Sequence, residues 1–121
     1  MQEFNVKRMD KDDLSILNIS GFLDAHTAPN LEKSIQNLVD DGRYKIIVNF
    51  ADLSYISSAG LGVFMGFIEQ IRSHGGDIKM SNMPPKIYRV FDLLGFPTLY
   101  DIFDDEAEAF EKYWSAGEKT A

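Results

Sequence analysis

The stretch Ile46-Ile47-Val48-Asn49-Phe50-Ala51-Asp52-Leu53-Ser54-Tyr55-Ile56-Ser57-Ser58-Ala59-Gly60-Leu61-Gly62 changes its hydrophobic period part-way along. It opens on the unbroken run Ile46-Ile47-Val48, short and β-branched, the pattern of a central strand covered on both faces; that strand is expected from Tyr44 to Phe50. From Ser58 to about Ser73, Leu61, Phe64, Met65, Ile68 and Ile71 recur every three or four residues, which puts them on one helical stripe. A strand handing over to a helix is the building unit of an α/β fold, and two hydroxyls, Ser57 and Ser58, stand at the handover. Backbone N–H groups at a helix start lack partners and the dipole there is positive, so an added phosphate has an electrostatic reason to sit at this point.

Working outward from that junction, Phe4 and Val6 alternate with Asn5 and Lys7, and the acidic turn Asp10-Lys11-Asp12-Asp13 leads into Leu14 to Ile19, which predicts a two-stranded hairpin. After Gly21, Thr27 is placed to cap a helix carrying Ala28, Leu31, Ile35, Leu38 and Val39 on one face before Gly42 ends it. Gly75-Gly76 stops the second helix, and Asp77 to Met80 reads as a strand. Pro84-Pro85 opens a third helix bearing Ile87, Val90, Phe91 and Leu94, closed by Gly95. Leu99 to Phe103 reads as a last strand, and Asp104 or Asp105 caps a terminal helix lined by Ala107, Phe110 and Trp114. The order is β-β-α-β-α-β-α-β-α: an α/β domain with a mixed sheet of about five strands and four helices. We place a single domain over residues 1–116 and a frayed tail over 117–121.

A chain of 121 residues with 45% hydrophobic content suits one core. The formal net charge of −7 disfavours nucleic acid and anionic lipid as partners, since both demand a cationic surface. Met1-Gln2-Glu3-Phe4 lacks the basic start and apolar run of a secretory signal, and no window has the apolar length of a membrane span, so a cytoplasmic protein is expected. With no cysteine there are no disulfides, thiolate nucleophiles or Cys-based metal sites.

The second helix carries Gly60, Gly62 and Gly66 in its first half, each costing roughly 1 kcal/mol of helical stability relative to alanine. With Ala59, Gly62 and Gly66 form a small-residue strip, which either packs tightly inside the domain or offers a docking surface beside the serines; Ala59, Gly60, Gly62 and Gly66 are the candidate partner contacts.

Together these residues resemble a known family. Asp52-Leu53-Ser54-Tyr55-Ile56-Ser57-Ser58-Ala59-Gly60-Leu61-Gly62 is similar to the signature of STAS-domain anti-sigma factor antagonists, and Gly21-Phe22-Leu23-Asp24-Ala25-His26-Thr27-Ala28 and the element order extend the likeness over nearly the whole chain. The resemblance implies that Ser58, two places before the first glycine, is phosphorylated by a partner-switching kinase that is also the anti-sigma factor. It implies that the unmodified domain binds that partner and frees a sigma factor, that phosphorylation reverses this, and that a protein phosphatase resets the switch. Asp24 and Asp52 match acidic positions near the acceptor. Family members often have aspartate immediately before the acceptor serine where this chain has Ser57, so Ser57 stands as the alternative acceptor, or as the helix cap. The alternative functions are a phosphoacceptor adaptor in another bacterial stress or signalling circuit, and a ligand-binding regulatory domain.

Enzymatic readings use the same residues less well. A hydrolase would need His26 or His74 as base to a serine nucleophile, but no G-x-S-x-G elbow is present. Gly60-Leu61-Gly62 lacks the P-loop lysine, and Asp101, Asp104, Asp105, Glu106 and Glu108 lack the spacing and central glycine of a calcium loop. Neither histidine has a partner at zinc-ligand spacing. No catalytic residue, cofactor or metal is expected. Phe96-Pro97 and the apolar residues around Leu93 to Leu99 either contribute to a partner surface or pack in the core, and core packing is the expectation.

Overall fold

The computed structural model describes residues 3–120, with side chains described for residues 3–113. Five strands, β1 (Asn5–Lys11), β2 (Leu14–Leu23), β3 (Lys45–Ile56), β4 (Asp77–Ser81) and β5 (Ile102–Phe103), form one sheet in the order 1-2-3-4-5. Four helices connect or follow them: α1 (Ala28–Asp40), α2 (Ser58–Ser73), α3 (Pro85–Leu93) and α4 (Glu106–Thr120). β1 pairs antiparallel with β2, as the hairpin requires, and the remaining pairs are parallel. The element order is the expected one, with β3 central.

Both faces of β3 are covered because its apolar residues alternate between two cores. Ile46, Val48 and Phe50 meet the helical layer of α1, α2 and α3, where Leu31, Ile35, Phe64 and Phe91 are fully buried. Ile47 joins Leu14 and Ile16 on the other face, under Ala109 and Tyr113 of α4. Burying a large aliphatic or aromatic side chain contributes about 1.5–3 kcal/mol, so the larger core dominates the fold's stability.

Several boundaries move. β2 and β3 run well past Ile19 and Phe50, because they continue to pair with each other through two register shifts as far as Phe22 with Tyr55 and Leu23 with Ile56. The Asp52-Leu53-Ser54 segment is therefore strand, not loop. Thr27 occupies the helix-start position of α1, but its hydroxyl turns back into the loop, donating to the Phe22 carbonyl at 2.7 Å. On α2, Val63 and Phe67 are buried, whereas Met65 is 49% exposed. Leu94 is likewise exposed, and Phe96–Thr98 is a 3₁₀ turn that shortens the last strand to two residues. Of the Leu93 to Leu99 segment only Phe96 is buried, while Leu93, Leu94 and Leu99 face outward. Among the described side chains of α4, Ala109 and Tyr113 are buried, Phe110 is half-buried, and Ala107 is exposed. α4 stays helical past Gly117, where a frayed tail is expected, and the side chain of Trp114 lies outside the described residues.

Candidate functional site

The two serines are set by the ends of β2 and β3. Ser57 continues the extended backbone of β3 (φ −105°, ψ 173°) and its N–H donates to the Leu23 carbonyl at 2.9 Å. Its own carbonyl accepts the first α2 bond, from Leu61 N–H at 3.2 Å, so Ser58 is the first helical residue. Gly60 explains how the helix can begin so close to the sheet. A β-carbon there would stand 2.6 Å from Leu23 Cγ and 3.2 Å from Ile56 Cγ1, an approach only glycine permits.

The geometry separates the two hydroxyls. Ser57 Oγ is buried, makes no capping bond, and has no hydrogen-bond partner among the described residues. Ser58 is exposed on the first turn. The cap expected of Ser57 is thus not made by its side chain.

Asp24 lies one residue beyond Leu23 and organises the neighbouring loop. Its Oδ1 accepts from the N–H groups of His26 (2.9 Å) and Thr27 (3.1 Å), and its carbonyl accepts from Ala28 N–H at 2.7 Å. The Thr27 N–H, with help from the His26 N–H and the Thr27 hydroxyl, holds the Asp24 carboxyl below its ordinary range, so it carries charge at neutral pH. Asp52 is exposed and pairs in register with Ser20, four residues short of the end of β3, about 13 Å back along the strand. Asp24 thus follows directly on Leu23, whose carbonyl holds the Ser57 N–H, whereas Asp52 sits further back on β3.

The small-residue strip divides. Gly60 faces the core and serves internal packing. Ala59, Gly62 and Gly66 face outward, and a β-carbon on either of those two glycines would meet nothing within 4 Å. Met65 extends this open face, its Sδ lying 3.7 Å from the Tyr100 hydroxyl. An exposed aromatic pair, Phe22 and Tyr55 with ring centroids 5.7 Å apart, sits at the same end of the sheet as the serines. Sequence reasoning missed that pair because both residues fall where loops are expected; with β2 and β3 extended, their register places them side by side.

The groups considered for catalysis or metal binding have other positions. His74 caps the C-terminal end of α2, which at 1.5 Å per residue lies about 24 Å from Ser58. His26 makes no side-chain bond to either serine among the described residues. Asp105 caps α4 through Glu108 N–H (2.9 Å), Glu106 accepts from Asn49 Nδ2 (2.8 Å), and Asp101 pairs with Lys79 (2.9 Å). Among the described residues no group of three or more His, Cys, Asp or Glu is arranged to hold a metal, and no helix is long and apolar enough to cross a membrane.

A five-stranded mixed sheet, a helix starting on an exposed serine and the Asp24 loop next to it are the features set against known families. Residues 5–109 match the sequence profile of the STAS domain, and the chain belongs to that family. Its relatives include anti-sigma factor antagonists. The anti-sigma-B factor antagonist of Bacillus subtilis (strain 168) is 32% identical over 95 residues, 78% of this chain and 85% of that protein. Among solved structures, the anti-sigma factor antagonist SpoIIAA in its unphosphorylated form superposes with a TM-score of 0.78 at 24% identity, covering 93% of this chain and 97% of that one. The phosphorylated form of the Bacillus SpoIIAA gives 0.70 at 24% identity, over 92% and 99%. These two likenesses concern the fold.

Proposed function

We propose that this domain is a phosphorylation-controlled antagonist that binds an anti-sigma factor when Ser58 is unmodified and releases it when Ser58 carries phosphate. The observation that supports Ser58 over Ser57 is the split in accessibility: a kinase reaches an exposed hydroxyl on a first helical turn, whereas Ser57 Oγ is buried. That a relative in fold exists in both unphosphorylated and phosphorylated forms supports the same reading.

The chemistry is local. Phosphate adds about 1.5 to 2 negative charges beside the free N–H groups of the α2 start, which tolerate it. A partner seated on Ala59, Gly62 and Met65 would instead have to accommodate that charge, its bulk and its desolvation. A loss of about 3 kcal/mol lowers affinity more than a hundredfold. Gly60, locked under Leu23, keeps the helix start in place, so the switch works without refolding. The partner implied is an anti-sigma factor with serine kinase activity, a protein phosphatase resets the site, and both act in the cytoplasm. Asp24 orients the incoming hydroxyl or nucleotide of the kinase complex.

The test is a pull-down from the source cell with wild-type, Ser58→Ala and enzymatically phosphorylated baits, followed by site mapping by mass spectrometry. Wild type and Ser58→Ala should retain an anti-sigma kinase, and the phosphorylated bait should not. Phosphate found on Ser57, or a Ser58→Ala protein still released by kinase and ATP, would overturn the assignment.

A further inference from the structure

The far edge of the sheet carries a second surface that the switch does not use. β5 is an outermost strand and, among the described residues, pairs only with β4. The carbonyls of Asp101 and Phe103 both turn inward, accepting from Met80 N–H (3.0 Å) and Asn82 N–H (3.2 Å). Backbone groups alternate along a strand, so the N–H and C=O of Ile102 between them face outward. They open onto a groove between α3 and α4. Three adjoining depressions of about 340, 280 and 210 Å³ line it, joined through the shared residues Tyr88, Ile102, Phe103 and Lys112. Tyr88 of α3 forms one wall and is 40% exposed; Lys112 of α4 forms the other. Ile102 and Phe103 make an apolar, half-buried floor.

Natural sheet edges are kept short, charged, broken by proline or covered, because bare backbone is a template for another strand; β5 is short, at two residues, but carries neither charge nor proline within it. Here Pro85 and Pro97 lie in the helices beside the groove, not on the edge strand itself. The exposed rim is acidic, with Asp104, Glu108 and Glu111 against Lys112, while Asp101 is already shared with Lys79. We propose that the outer edge of β5 receives an extended, basic peptide segment of a partner protein as a short added strand. Its backbone pairs with Ile102, its alternate apolar side chains rest on Ile102, Phe103 and Tyr88, and its basic side chains meet the carboxylate rim. The groove contains neither serine, so the outcome of the kinase test leaves this inference standing or falling on its own.

The full chain, labelled with ¹⁵N, is titrated with an octapeptide alternating arginine and valine. Saturable shifts confined to Ile102, Phe103, Asp104 and the facing positions of α3 and α4 are expected, together with slower exchange of the Ile102 N–H. The same peptide N-methylated along one edge should not bind. Tyr88→Ala should weaken binding about fivefold or more. A Glu108→Lys/Glu111→Lys double variant should lose the arginine peptide and gain one with glutamate in place of arginine, which a merely structural role for those residues would not produce. No saturable shift, equal binding of the N-methylated peptide, or shifts mapping to the Ser58 end would overturn the proposal. So would β5 amides that shift with the chain's own concentration in the absence of peptide, since the occupant would then be a second copy.

Discussion

A hydroxyl at a helix start normally contributes by capping, and losing such a cap costs about 0.5–2 kcal/mol. Ser57 departs from this, because its Oγ is buried and makes no capping bond. Replacing it with alanine removes an unsatisfied polar atom and forfeits no cap. Ser57→Ala is therefore expected to stay within about 0.5 kcal/mol of wild type in urea denaturation, and to be phosphorylated at an unchanged rate. A loss above about 1.5 kcal/mol would mean that Ser57 does cap α2 in solution. From sequence, Ser58 is the expected acceptor on the family resemblance and the helix start, with Ser57 as the alternative; the burial of the Ser57 oxygen depends on how β3 ends against Leu23, which no local pattern encodes.

At the scale of elements, the three glycines of α2 look alike in sequence and do opposite work. Gly60→Ala drives a β-carbon into Leu23 and is expected to destabilise the domain by about 1–2 kcal/mol, helix propensity offsetting part of the overpacking. Gly62→Ala and Gly66→Ala enter open space and should each stabilise by about 0.5–1 kcal/mol. If the strip is the docking face, those same two variants bind the partner more weakly despite being more stable. Calorimetric binding and thermal melts on one set of variants separate the effects. Unchanged affinity for both would remove Ala59, Gly62 and Gly66 from the partner surface. The periodicity that defines the helix also misplaces Met65, because a stripe of five apolar residues fits more than one facing; contact with the sheet selects Val63 and Phe67 instead.

For the whole molecule, α4 closes the second face, and Tyr113 is its anchor. The buried hydroxyl accepts from Ile46 N–H (3.0 Å) and lies within donating distance of the carbonyls of Asp77 (2.6 Å) and Ile46 (2.7 Å). Tyr113→Phe should cost about 1–3 kcal/mol by leaving those groups unpaired. Burial pushes the Tyr113 hydroxyl well above its ordinary range, and Tyr100, also chiefly by burial, up to about 12. A raised pKa in the folded state means that folding favours the protonated form. The associated stability is fully present below the unfolded tyrosine pKa of about 10 and is lost as pH rises beyond it. Denaturation midpoints should therefore be insensitive to these groups at neutral pH and fall above about pH 10, with a shallower fall in Tyr113→Phe. An equally steep alkaline limb in that variant would remove Tyr113 as its source.

The set of elements and their order is legible in the sequence, because period and breakers are local: the apolar run at Ile46, the stripe from Leu61, and the glycines after α1, α2 and α3. The strand-to-helix junction also singles out the serine pair, and the family resemblance adds Asp24 and Asp52 alike. Only the folded arrangement decides which serine is exposed, which glycine is packed, how far β2 and β3 run together, and that Asp52 sits back along β3 from the serines. Each of these depends on pairing between segments distant in sequence, where register and close approach, not residue type, set the outcome. The groove at β5 belongs to the same category: an edge exists only once the sheet has an order.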